Sequence, residues 1–178
     1  MCYMMEKGKK ASADGSVMVA RNCDSISSDA VRLVSFPRKQ HRQGSFVQIP
    51  HSSETPDYAG EWTARPPAIP QVSETYAYTA IALVKDDEDI EMVMGGMNEF
   101  QLSAGASTGG PVKPEVDQLT PWPETVIGDY ITSMVLQRCK TAREAIEFLG
   151  EMTETYGART DNYIVADPEE AWLFEQYQ

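Results

Sequence analysis

The sequence predicts an α+β fold, with a series of β-strands first and a pair of helices after them. Up to residue 107 it contains short runs rich in β-branched and aromatic residues, which are typical of strands. From Thr120 the apolar residues fall at helical spacing, and strand-like runs return near the end. Strands grouped before helices favour an α+β fold over an alternating βαβ sheet. The length of 178 residues predicts one domain, residues 1–178, because domains usually hold roughly 100–200 residues.

The first predicted element is a β-hairpin. The segments CYMMEKG and VMVARN lie on either side of KASADGS, in which Asp14-Gly15 provides the turn chemistry. The outer end of this hairpin is Cys2, directly behind the initiator Met1.

Further strands are predicted from their composition, at VRLVSFP (31–37), SFVQIP (45–50), TYAYTAIALV (75–84), IEMVMGGM (90–97) and FQLSAGAS (100–107). Four prolines between residues 51 and 74 predict a long covering loop there. The glycine pairs Gly95-Gly96 and Gly109-Gly110 lack the lysine and the strand–loop–helix context of a phosphate loop, so we interpret them as tight turns.

Two helices are predicted after Thr120. The first has apolar residues at helical spacing, namely Val126, Ile127, Tyr130, Ile131, Met134, Val135 and Cys139. The second begins with the capping box Thr141-Ala-Arg-Glu144 and ends at about Tyr156, before Gly157. Strands YIVA (163–166) and AWLFE (171–175) follow, around an Asp167-Pro168 turn.

Charge and cysteine usage limit the function. The net charge of -12 would repel nucleic acid and anionic lipid, so we expect neither a nucleic-acid nor a membrane partner. Residues 1–10 lack the pattern of a secretory signal, which favours a cytoplasmic location. Cys2, Cys23 and Cys139 are an odd number at wide spacing, which suggests free thiols and neither disulfides nor a metal site.

A serine-hydrolase site is not favoured. The segment from Gly105 to Gly109 matches G-x-S-x-G, but that motif needs a helix directly after Ser107 and a histidine later in the chain. Prolines follow instead, and His41 and His51 both precede the serine. We therefore interpret Ser107 as a loop residue and the histidines as surface residues.

The opening of the chain suggests a different nucleophile. Removal of Met1 would leave Cys2 with a thiol and a free α-amine. Because an α-amine has a pKa of about 7.7–8.0, part of it is unprotonated at neutral pH and can accept the thiol proton. Taken alone, Cys2 is better interpreted as a small apolar residue of a first strand, because free cysteines are commonly buried.

The residues around Cys2 resemble the N-terminal nucleophile hydrolases of the C69 dipeptidase family. They are more distantly similar to choloylglycine hydrolases and penicillin V acylases. The similarity runs in order along almost the whole chain, through Cys2, the turn GKKASADGS, Arg21-Asn-x-Asp24, GGMNE (95–99), LQRCKTAREAIEFL with YGA after it, and IVADPEEAWLFE.

The resemblance implies a role for each matching residue. Cys2 would be the nucleophile, Arg21 a cation that favours its thiolate, and Asp24 an acceptor that orients the α-amine. Asn98 would donate to the developing oxyanion. The structural alternatives are a surface ion pair for Arg21 and Asp24, and a turn residue for Asn98.

The resemblance also implies an αββα four-layer fold, of which this chain would be the N-terminal portion, truncated on its C-terminal side. Family members are more than twice as long, and they usually have an acidic residue at the position of Ala106 and a threonine at that of Tyr3. We expect a second asparagine donor beyond Gln178 and do not assign that role to Asn162. An open sheet edge would favour homo-oligomers.

The activity implied is hydrolysis of dipeptide amide bonds through a thioester on Cys2, without cofactor or metal. A related amidase acting on non-peptide acyl amides would share the same residues. An inactive fragment or binding module is the third possibility.

Overall fold

The computed structural model describes residues 2–22, 30–49, 67–84, 90–108, 130–157 and 161–176. Within these ranges the chain forms ten strands and two α-helices. The strands are β1 (Tyr3–Lys7), β2 (Met18–Asn22), β3 (Ala30–Phe36), β4 (Lys39–Gln40), β5 (Glu74–Thr75), β6 (Tyr78–Val84), β7 (Ile90–Asn98), β8 (Ser103–Thr108), β9 (Asp161–Ala166) and β10 (Ala171–Glu175), and the helices are α1 (Tyr130–Arg138) and α2 (Ala142–Tyr156).

The main feature of the described residues is a six-stranded antiparallel sheet with the order β10-β9-β8-β7-β6-β3. Strands β1 and β2 form a separate hairpin, and β4 pairs with β5 in a small two-stranded ribbon. A short 3-10 turn at Lys9–Ala11 and Gly15, with a φ of 76°, carry the chain between the two hairpin strands. The predicted hairpin is confirmed.

The sheet separates two layers. On one face, α1 contacts β7 and β8, while α2 contacts β9 and β10. On the other face, β1 contacts β8, β9 and β10, and β2 contacts β8 and β9. The predicted α+β architecture is therefore confirmed, with helices on one side of the sheet and the Cys2 hairpin on the other.

The core lies between the sheet and the helices. Its largest fully buried apolar side chains are Ile69, Leu102, Ile131, Met134, Leu136, Leu149, Val135 and Val165. Burying a side chain of this size contributes about 1.5–3 kcal/mol, so this layer stabilises the scaffold on which the hairpin lies. Strand alternation directs Ala104 and Ala106 into this core and leaves Ser103, Gly105 and Ser107 on the hairpin side.

Strands β6 and β7 approach each other very closely at Gly96. A Cβ atom there would overlap the carbonyl oxygen of Thr79 and lie 2.8 Å from the Cβ of Ala80. Gly95 and Gly96 both lie inside β7, paired with β6. The prediction of a tight turn at this pair is wrong. The two glycines allow neighbouring strands to approach closely, and the chain does not reverse there.

The second helix has the caps that its sequence predicts. The Thr141 hydroxyl accepts from the Glu144 backbone N–H at 3.2 Å, and the Glu144 carboxylate accepts from the Lys140 N–H at 2.7 Å. The helix ends at Gly157, whose φ is 76°. Asp167 also accepts from the Ala142 N–H at 2.8 Å, which places a carboxylate at the helix N-terminus.

Three other predictions need correction. Residues 45–49 form no extended ladder among the described residues, because Phe46 makes only an isolated bridge to Pro70. Ser107 lies in β8 and is not a loop residue. His41 is half-buried, with its Nε2 atom 2.9 Å from the Thr75 hydroxyl, and is not a free surface residue.

Other predictions lie outside the described residues. They concern His51, most of the loop at 51–74, the pair Gly109-Gly110 and the start of the first helix before residue 130.

Candidate active site

Cys2 lies directly before β1 and is half-buried. Tyr3 and Met5 are 64% and 68% exposed, whereas Met4 is half-buried. Because side chains alternate along a strand, Cys2 and Met4 share the face of the hairpin that is turned towards the large sheet. The backbone N–H of Tyr3 donates to Asn22 Oδ1 at 2.5 Å, which ties this end of the hairpin together.

Arg21 lies on the same face as Cys2. It pairs directly with Met4 across the hairpin, so Cys2 is its diagonal neighbour. Diagonal Cα atoms in such a pair are about 7–8 Å apart, a distance that a long side chain can span. The hairpin therefore brings together two of the residues predicted for the site.

The side chain of Arg21 crosses the sheet above Gly105. Its Cδ atom is 3.6 Å from the position that a Cβ at Gly105 would occupy, and a side-chain carbon of Ile164 lies 3.7 Å from the same point. Its guanidinium donates to the carbonyl oxygen of Met94. The Arg21 Nε atom is buried and has no hydrogen-bond partner among the described residues.

A cavity of about 380 Å³ lies beneath the turn of the hairpin, and the residues that line it show which way the hairpin runs over the sheet. This cavity is lined by Gly15, Val17 and Val19 from the hairpin and by Ser103 and Ala166 from the sheet, among others.

Because Val19 lies towards Ser103 while Arg21 lies over Gly105, β2 runs in the same direction as β8. The Cys2 end of the hairpin therefore lies towards Ser107.

Three polar side chains share the hairpin face of the sheet at this end. Ser107 pairs with Asn162, and Asn162 pairs with Glu175, so the three form a row across β8, β9 and β10. We call Ser107, Asn162 and Glu175 the polar row. Asn162 Oδ1 is buried and has no hydrogen-bond partner among the described residues.

Sequence reasoning missed the polar row. The residues come from strands far apart in the chain, and only their register places them side by side. The single signal available was the strand-like character of residues 100–107, 163–166 and 171–175, which does not fix how the strands pair.

Asn98 lies at the other end of the sheet. Asn98 is the last residue of β7, and its neighbour Met97 pairs with Ser103. Asn98 therefore lies nearer to the turn of the hairpin than Arg21 does. Its side chain is buried, and its Nδ2 atom donates to the carbonyl oxygens of Leu136 at 3.0 Å and Cys139 at 2.8 Å.

Asn98 is also part of the turn between β7 and β8. Its Oδ1 atom accepts from the N–H groups of Phe100 at 3.0 Å and Leu102 at 3.1 Å. Both amide hydrogens are already engaged, so these contacts match the turn-residue alternative. They do not bring Asn98 to Cys2, and the oxyanion role predicted for it has no support from this arrangement.

The remaining predicted residue, Asp24, lies outside the described residues, as does Cys23. Cys139 follows α1 and is buried, and burial raises the pKa of its thiol to about 12. Among the described residues, no group of three or more His, Cys, Asp or Glu side chains is arranged to hold a metal ion. None of the helices in the described ranges is long and apolar enough to cross a membrane.

Comparison with known families gives the decisive observation. The profile described as Peptidase family C69 matches residues 1–178. The chain belongs to this family.

Curated relatives of the chain are named as dipeptidases. Probable dipeptidase B of Lactococcus lactis is 29% identical over 178 residues, and probable dipeptidase A of Streptococcus pyogenes is 28% identical over 179 residues. Each match covers 98% of this chain but only 34% and 35% of the relative. The chain thus spans about a third of the length of these two relatives.

Two solved structures share the fold of this C69 chain. Penicillin V acylase from Agrobacterium tumefaciens aligns with a TM-score of 0.53 at 17% identity, covering 100% of this chain and 47% of the acylase. The C2A mutant of conjugated bile acid hydrolase from Clostridium perfringens aligns with a TM-score of 0.54 at 15% identity, covering 100% of this chain and 49% of the hydrolase. Both have the N-terminal nucleophile hydrolase fold, which confirms the predicted fold class.

Proposed function

We propose that the protein is a cysteine dipeptidase in which Cys2, freed by removal of Met1, is the nucleophile. The observation that carries the proposal is the position of Cys2 directly before β1, diagonal to Arg21 on the face of the hairpin that is turned towards the large sheet. Membership of peptidase family C69 and the dipeptidase names of its relatives support an amide-hydrolysing activity.

The proposed reaction uses the α-amine of Cys2 as the base. The amine takes the thiol proton, and the sulfur attacks the carbonyl carbon of the peptide bond to give a tetrahedral intermediate. As the intermediate collapses, the C–N bond breaks and the protonated amine gives its proton to the leaving amine, which leaves a thioester. Water then attacks the thioester, with the same amine as base, and releases the carboxylic acid and the thiol.

Arg21 and Asp24 would assist this reaction in different ways. Arg21 would supply a positive charge on the Cys2 face of the hairpin, and its hydrogen bond to the Met94 carbonyl holds it in place. Asp24, three residues further along the chain, would accept a hydrogen bond from the α-amine and fix its orientation.

The direct test replaces the nucleophile in the complete reading frame. Cys2→Ser should keep the fold and lower dipeptide turnover by roughly 100-fold or more, because a hydroxyl is a poorer nucleophile with the same base. Cys139→Ala is the control, since that thiol is buried away from the site. Turnover by Cys2→Ser at the wild-type rate would contradict the proposal.

An amidase that acts on non-peptide acyl amides is the second candidate. It is favoured by the solved neighbours, which are named as an acylase and a bile acid hydrolase. A panel of dipeptides and acyl amides separates the two activities.

We further propose that the protein works in the cytoplasm and self-associates. Val31 and Leu33, on the outermost strand β3 of the described sheet, are 61% and 71% exposed, and burial of such apolar surface favours association. Light scattering coupled to gel filtration would measure the oligomeric state, and a strictly monomeric protein would contradict self-association.

A further inference from the structure

The polar row contains a buried acceptor that lacks a donor. Asn162 Oδ1 has no hydrogen-bond partner among the described residues, although most buried polar atoms in proteins are paired. A buried group of this kind costs free energy in the absence of a ligand or water. Asn162 Oδ1 is therefore an acceptor whose bonding capacity is still unused.

The row also carries a negative charge. Glu175 lies directly beside Asn162 on β10, the edge strand of the described sheet, and its side chain is exposed. The cation of the site, Arg21, is directed the other way, towards the Met94 carbonyl on β7. The Arg21 contact on β7 and Glu175 on β10 thus lie on opposite sides of β8, with the acceptors grouped on the β9–β10 side.

The chemistry of a dipeptide explains such an arrangement. The α-nitrogen of its first residue is only two bonds from the carbonyl carbon that the nucleophile attacks, a separation of about 2.5 Å. A group that binds the α-ammonium must therefore lie beside the nucleophile. The polar row lies at the end of the sheet towards which the Cys2 end of the hairpin is directed.

We propose that Asn162 and Glu175 bind the free α-ammonium group of the substrate. Asn162 Oδ1 accepts one of its hydrogens and the Glu175 carboxylate neutralises its charge. The site would thus select substrates with a free N-terminus and discriminate against N-acylated ones. This inference rests on the proposed function, and within it favours dipeptides over acyl amides.

Binding can be measured without turnover, so the first experiment uses calorimetry on the Cys2→Ala protein. L-alanyl-L-alanine should bind at least about tenfold more tightly than its N-acetyl derivative, a ratio that corresponds to about 1.4 kcal/mol. Glu175→Gln, which keeps the shape and removes the charge, should abolish most of this preference. Ser35→Ala is the matched control, because Ser35 is on the same face of the sheet but on its far strand β3.

Two substitutions at Asn162 separate ammonium binding from an oxyanion role. Asn162→Asp keeps the acceptor and loses the N–H donors, whereas Asn162→Leu loses both. These variants are made in the enzyme that retains Cys2, so that turnover can be measured. We expect Asn162→Asp to keep the wild-type KM for L-alanyl-L-alanine or lower it, and Asn162→Leu to raise KM about tenfold. A large loss of kcat in both variants with unchanged KM would instead indicate an oxyanion donor and overturn the inference.

The outcomes separate this inference from the proposed function. Equal binding of the free and acetylated dipeptides by an enzyme that hydrolyses them would refute ammonium recognition and leave the dipeptidase proposal intact. Selective binding of the free dipeptide by a protein without turnover would support the recognition site and contradict the catalytic proposal.

Discussion

Replacement of Asn98 by alanine should destabilise the protein substantially. Its buried side chain makes four hydrogen bonds, two to the N–H groups of Phe100 and Leu102 and two to the carbonyl oxygens of Leu136 and Cys139. Leu136 is in the last turn of α1, where carbonyl groups lack partners within the helix.

The size of the effect follows from the number of these bonds. Each contributes a net of about 0.5–1.5 kcal/mol, and leaving buried backbone groups without partners adds to the loss. Because single substitutions rarely exceed about 4–5 kcal/mol, we expect Asn98→Ala to lower the free energy of unfolding by about 3–4 kcal/mol.

Urea denaturation followed by circular dichroism measures this change. Asn162→Ala is the control, because the Oδ1 atom of Asn162 has no hydrogen-bond partner among the described residues, and we expect it to cost less than about 1 kcal/mol. If Asn98→Ala unfolds within 0.5 kcal/mol of the wild type and loses only kcat, the structural role of Asn98 is wrong and the oxyanion role regains support.

Three further predictions follow from burial, charge and close packing. Limiting iodoacetamide at neutral pH should label Cys2 before Cys139, because burial raises the pKa of Cys139 to about 12, and mass spectrometry that finds Cys139 labelled first would contradict this. Burial alone would raise the pKa of Asp167, but three backbone N–H donors lower that pKa below its ordinary value. The contribution of the Asp167 carboxylate to stability is therefore present above the unfolded pKa of about 3.9 and is lost as the pH falls through the folded pKa. Asp167→Asn should therefore be less stable than the wild type near pH 7 by urea denaturation, with the difference shrinking as the pH falls below the unfolded pKa and through the lowered folded one, and a difference that does not change with pH would count against this linkage. Gly96→Ala should cost about 1–3 kcal/mol because its Cβ overlaps the neighbouring strand, whereas Gly150→Ala, in open space on α2, should gain about 0.5–1 kcal/mol; equal thermal midpoints for the two variants would refute the packing argument.

Features fixed by neighbouring residues could be predicted from the sequence. The Cys2 hairpin depends on alternation around Gly15, and α2 depends on the Thr141 cap and on Gly157. Each of these signals lies within a few residues of the structure that it determines.

Features that depend on distant partners could not be predicted. Asn98 bonds to carbonyls 38 and 41 residues away, and Gly96 is required by the approach of another strand. Asn162 is placed beside Ser107 by strand register alone. A short motif such as GGMNE contains no information about these contacts, so by itself it predicts a turn followed by a catalytic amide.

The most direct test of the central claim concerns the α-amine of Cys2. Any residue retained before Cys2 converts that amine into an amide nitrogen, which cannot accept a proton at neutral pH. The complete reading frame should be expressed once with a cleavable leader that releases Cys2 and once with an uncleavable extension before Met1.

We expect the released protein to hydrolyse dipeptides and the blocked protein to be inactive, while their circular dichroism spectra and thermal midpoints stay close. A thiol activated by a histidine would not be affected by the extension. Equal dipeptide turnover by the two preparations would contradict the N-terminal nucleophile mechanism.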